Sequence, residues 1–72
     1  MTDRIQISLA AARVNAKMTQ EDVAKMLKVT KNTVVSWEKG ESEPKVSQAF
    51  AMSDAFKMPL ENIFFINKSH FK

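Results

Sequence analysis

The stretch Thr19 to Gly40, TQEDVAKMLKVTKNTVVSWEKG, constrains this chain more than any other. Thr19 opens Thr-x-x-Asp, close to a capping box, ahead of the apolar positions Val23, Ala24 and Leu27. Thr30 repeats the device ahead of Val34 and Trp37, and only Lys28 and Val29 separate Leu27 from it. That is turn length for a helix-turn-helix. Gly40 stops the second helix, as a residue tolerant of the left-handed region should. The outward positions of this helix are Lys31, Asn32, Val35, Ser36 and Lys39. Hydrogen-bonding and methyl-bearing side chains on a short exposed helix suit the reading of base edges in a major groove.

Around this unit the spacing predicts an all-α chain of five short helices with no strand. Residues 3–7 read as extended, and Ser8 caps a first helix over about 9–17, whose stripe is Leu9, Ala12, Arg13 and Ala16. The second and third helices cover about 20–27 and 31–39. A fourth covers about 46–57, with Ala49, Met52, Ala55 and Phe56 inward. Pro59 fits the first turn of a fifth, about 60–65, anchored by Leu60, Ile63 and Phe64. Thr33, Val34 and Val35 are consecutive β-branched residues that alone would favour a strand. The cap before them, the glycine after them and the Val34/Trp37 spacing outweigh that preference.

The 72 residues, 44% of them apolar, are enough for one compact domain but not for a large active-site cleft. The expected arrangement is a core of about residues 5–65 with a short tail over 66–72. There is no cysteine, which removes disulfides and thiolate chemistry and is compatible with a reducing cytoplasm. No apolar run approaches the roughly 20 residues of a membrane helix. One histidine, one glycine and no paired-carboxylate motif argue against an enzyme, a metal site or a nucleotide cradle, so no catalytic residue, metal or cofactor is expected. The net charge of +3 is weak evidence alone, but Lys31, Lys39 and Lys45 gather on or beside the reading helix, with Glu41 and Glu43 among them.

Arg13 stands on the apolar face of the first helix, where a lone guanidinium would be costly to desolvate. Glu38 lies on the inner side of the third helix beside Trp37. Either the two pair across the core or both side chains reach out to solvent. Trp37 reads as core rather than a stacking platform, because it shares the Val34 stripe.

These residues resemble the lambda-repressor-like, Cro/cI or xenobiotic-response-element family of helix-turn-helix regulators. The resemblance rests on Arg13, Thr19-Gln20-Glu21, Val23-Ala24, Leu27-x-Val29-Thr30, Thr33-Val34, Trp37-Glu38-x-Gly40, Pro44 and Leu60/Ile63, over about residues 5–65. It implies a five-helix bundle, a core pair at Arg13 and Glu38, and base contacts from Lys31, Asn32 and Ser36; Val35, by its own place on the exposed face, suits a thymine methyl. It also implies phosphate contacts from Thr19, Gln20, Thr30, Lys39 and Lys45. Lys28 stands where the family usually has glycine, which strains the backbone and adds a further lysine for phosphate. Lys45 replaces the usual small cap after the loop proline.

The expected function is that of a sequence-specific regulator of phage or prophage repressor type, acting on double-stranded DNA without a small-molecule substrate. The run Ile63-Phe64-Phe65-Ile66 exceeds what a fifth helix can bury, so Phe64, Phe65 and Ile66 form a candidate homodimer surface unless the tail folds back. The alternative is a protein-interaction module or antitoxin-like subunit that holds a partner protein through the same run.

Overall fold

A computed structural model describes residues 7–64, of Phe64 the backbone only. Four helices carry the fold: α1 at Leu9–Asn15, α2 at Gln20–Leu27, α3 at Lys31–Lys39 and α4 at Val46–Phe56. The first three begin on a hydroxyl that satisfies an orphan backbone N–H. Ser8 Oγ accepts from Ala11 at 3.0 Å, Thr19 Oγ1 from Asp22 at 3.0 Å, and Thr30 Oγ1 from Thr33 at 3.2 Å. At Thr19 the box is closed, because its own N–H donates to Asp22 Oδ2 at 2.8 Å.

One core joins all four helices. Leu9 and Ala12 of α1, Val23 and Ala24 of α2, Val34 and Trp37 of α3, and Met52 and Phe56 of α4 are buried together with Ile63. Each large apolar side chain so covered contributes about 1.5–3 kcal/mol. That burial explains why Thr33-Val34-Val35 stays helical: Val34 is only 1% exposed, and tertiary packing outweighs the small propensity cost.

The helix ends share one closure. The residue past α2, α3 and α4, and the second residue past α1, takes a left-handed conformation: Lys28 (φ 60°), Gly40 (φ 79°), Lys57 (φ 54°) and Lys17 (φ 62°). The next N–H then reaches back to a free carbonyl, Met18 to Arg13, Val29 to Ala24, Glu41 to Ser36 and Met58 to Ser53, at 2.9–3.2 Å. This is the Schellman arrangement, and Met18, Val29 and Met58 then pack on the core. It also ends the first helix at Asn15, short of the expected Lys17, because Lys17 already has the reversed φ.

Two expectations fail after Pro59. No fifth helix spans 60–65, and the chain does contain strands. Leu60–Asn62 is a single 3-10 turn, closed by Asn62 N–H donating to Pro59 O at 2.9 Å. Ile63–Phe64 is then extended as β2, pairing in parallel with β1 at Ile7–Ser8, with Ile63 opposite Ile7 and Ser8 opposite Phe64. The extended backbone (φ −102°, ψ 121° at Ile63) buries Ile63 and gives edge hydrogen bonds to both terminal segments.

Candidate nucleic-acid interface

The third helix presents two unlike faces. Val34 and Trp37 point into the core, whereas Lys31, Asn32 and Lys39 are exposed. Val35 and Ser36, expected fully outward, are half-buried. After Gly40 the chain folds back on α3: Glu41 N–H donates to Ser36 O at 2.9 Å, and Ser36 Oγ lies 3.5 Å from Glu41 Oε1.

Beside the buried Val34 and Trp37, Glu38 ties α3 to α1 and α2. Arg13 Nε donates to Glu38 Oε2 at 2.7 Å and Nη2 to Oε1 at 3.5 Å, while Nη1 donates to the Met18 carbonyl at 2.9 Å. The two side chains are 14% and 9% exposed, so the pair is shielded at the edge of the core rather than sealed within it. Gln20 Nε2 donates to the same Oε1 at 3.0 Å, tying the start of α2 to α3. Only an amide nitrogen can face a carboxylate, which fixes the Gln20 flip and leaves a second N–H for an anionic ligand. Three elements thus converge on one carboxylate.

The other residues expected at phosphates frame α3. Thr19 and Thr30, both exposed, cap the two helix starts, and the Thr30 hydroxyl also lies 2.9 Å from that of Thr33. Lys28, exposed, occupies the left-handed turn between α2 and α3. Lys39 and Lys45 flank the loop, and exposed Glu41 and Glu43 lie between them. Lys45 is the N-cap of α4 but has no acceptor to offer; the reverse half of the box remains, with Lys45 N–H donating to Gln48 Oε1 at 2.8 Å. The titration of Asp22 is displaced: the Thr19 backbone N–H, then the Thr19 hydroxyl, hold its carboxyl below the usual carboxylate range, with a smaller attraction from Lys25.

Of the expected dimer surface, Phe64 contributes its backbone to β2, while Phe65 and Ile66 lie outside the described residues, as does His70. Among the described residues the exposed large apolar side chains are Val14, Met26, Val46 and Phe50. Val46 and Phe50 share one face of α4, off the stripe of Met52 and Phe56, and helical spacing alone could have marked them. Among the described residues no cluster of His, Cys, Asp or Glu could hold a metal, and no helix is long and apolar enough to cross a membrane.

Comparison with known proteins gives a consistent set of relatives. A helix-turn-helix family model matches residues 9–63. An uncharacterized HTH-type transcriptional regulator of Methanocaldococcus jannaschii is 40% identical over 47 residues, 65% of this chain and 71% of that protein. Another, from Archaeoglobus fulgidus, is 34% identical over 56 residues, 78% of this chain and 79% of its own length. The HTH-type transcriptional regulator DicA of Escherichia coli is 46% identical over 41 residues, 57% of this chain but only 30% of DicA. No solved structure gives a significant match.

Proposed function

Because the chain belongs to the Cro/cI-type helix-turn-helix family of DNA-binding transcriptional regulators, we propose that it is a sequence-specific repressor that lays α3 in the major groove. The observation that carries this reading is the split character of α3. Its inner face is locked by Val34, Trp37 and the Glu38 contacts, while Lys31, Asn32 and Lys39 stand free to meet a ligand. A side chain can discriminate between bases only if its own helix is held still.

In this mechanism Lys31 and Asn32 read base edges, with Val35 and Ser36 completing the surface. Thr19, Gln20, Lys28, Thr30, Lys39 and Lys45 fix the register on phosphates. Two copies on a pseudo-palindromic operator place their α3 helices in successive major grooves, about 34 Å apart, and repression follows from occupancy. If 6–10 phosphates are neutralised, affinity falls about 10³–10⁵-fold between roughly 50 and 200 mM salt. A nearly flat salt response contradicts the mechanism.

The test is a random-oligonucleotide binding selection with the wild type and the Asn32→Ala/Ser36→Ala double variant in parallel. A palindromic consensus that the variant relaxes supports a dimeric reader working through α3. No enrichment by folded wild-type protein overturns the proposal and moves attention to a protein partner.

A further inference from the structure

Lysine occupies the left-handed position after three of the four helices, where glycine is the residue without a steric penalty. Lys28 already has a part in the proposed DNA contact. Lys17 and Lys57 do not, and they form a natural pair: both are exposed, with φ of 62° and 54°, and both close a helix by the same hydrogen bonds. Their surroundings differ. Lys57 lines a shallow groove with Ile7, Met58, Pro59 and Asn62, which brings no second cation.

Lys17 lines a groove where the end of α1 meets the starts of α2 and α3, together with Arg13, Thr19, Gln20 and Lys31. Arg13 is committed to Glu38, whereas Lys17 and Lys31 make no ion pair among the described residues. Glu21 is the one acid on this wall, so the two lysines outweigh it. Lys31 is also the first residue of α3. A duplex docked along α3 therefore carries its sugar-phosphate backbone past this groove.

We propose that Lys17 is a further DNA-backbone contact, its ammonium meeting a phosphodiester beside Thr19 and Gln20 while Lys31, on the same groove, reaches on to the base edge. The inference rests on the DNA-binding reading above. It accounts for a lysine at a position whose backbone favours glycine: the charge has a use there that glycine cannot supply.

The backbone makes the test clean, because Lys17→Gly removes the charge while relieving the strained φ, so folding does not confound binding. Lys17→Gly, Lys17→Arg, Lys57→Gly and the wild type are titrated with a short mixed-sequence duplex by fluorescence anisotropy, over about 50 to 200 mM salt. Thermal melts run alongside. The expected result for Lys17→Gly is a melting temperature at or above wild type, an affinity lowered on the order of fivefold near 0.1 M salt, and a log–log salt slope smaller by about one. Lys17→Arg keeps wild-type affinity, and Lys57→Gly stays within about twofold of it. Equal effects of Lys17→Gly and Lys57→Gly, or none from either, overturn the Lys17 assignment while leaving DNA binding intact. Absence of duplex binding by the wild type overturns this inference and the DNA-binding reading together.

Discussion

The α2–α3 unit and the segment from α4 to Phe64 share one core but are finished differently. Both helices of the first unit start on a threonine whose hydroxyl takes a backbone N–H, and α3 is further held by Arg13 and Gln20 through Glu38. α4 starts on Lys45, which has no acceptor, exposes Val46 and Phe50, and leads into one 3-10 turn and a two-residue strand. At its C-terminal end α4 is closed as well, with Ser53 Oγ donating to Met58 O at 2.6 Å. The difference lies at its start and in the Glu38 contacts that only α3 receives. Where polar closure is spared, charge or apolar surface stands in positions that stability alone would fill with serine or a polar residue.

The largest effect tests whether the two regions are one folding unit. Phe56→Ala removes a side chain that is 4% exposed and should cost about 3–5 kcal/mol. Because Leu9, Val23, Val34 and Trp37 share its cluster, urea unfolding monitored by Trp37 fluorescence should shift together with helical circular dichroism. Separate transitions would show that α4 melts alone and that the two regions are not one folding unit.

Next comes the Glu38 hub. Arg13→Met and Glu38→Gln should each destabilise by about 3 kcal/mol, the lower end of the range for breaking a shielded pair. The double variant should lose clearly less than the sum. Additive losses in denaturant melts would mean that the 2.7 Å contact carries no coupling energy.

The caps sharpen the contrast between regions. Thr19→Ala and Thr30→Ala should each cost about 1 kcal/mol, Lys45→Ala close to nothing, and Lys45→Ser should gain up to about 1 kcal/mol. A Lys45→Ala loss as large as that of Thr19→Ala would mean that α2 and α4 are capped equally well. The smallest effect is one of pH. The Asp22 carboxyl is lowered in the folded state, so its contribution is present above the unfolded carboxylate pKa and is lost as pH falls through the folded one. Thermal melts from neutrality to below about pH 4 should show a shallower acid loss for Asp22→Asn than for wild type. Identical slopes would remove Asp22 from the box.

Much of the first region is legible in the sequence because its signals are local. Thr19 and Thr30 lie three residues from the N–H groups they accept, and Gly40 terminates α3 where a left-handed residue is needed. The second region depends on partners distant in sequence. Leu60, Ile63 and Phe64 satisfy a helical spacing as well as a strand, and the choice is made by Ile7, at the other end of the described chain. The same limit applies at the interface. The place of Arg13 on a stripe shows that it needs a partner, but that Gln20 reaches the same carboxylate, or that Glu41 folds back on Ser36, depends on how the helices are set against each other. Lys17 escapes the sequence reading because its neighbour Lys31 belongs to another helix.

Whether DNA meets the region around α2 and α3 or α4 is decided by amide chemical-shift mapping of the labelled protein with a short duplex from the selection. Shifts are expected at Lys17, Thr19–Gln20, Lys28 and Thr30–Lys39, with Lys45 at the margin and little change at Lys57. Shifts centred on Val46, Phe50 and Lys57 while α3 stays silent would contradict a duplex laid along α3.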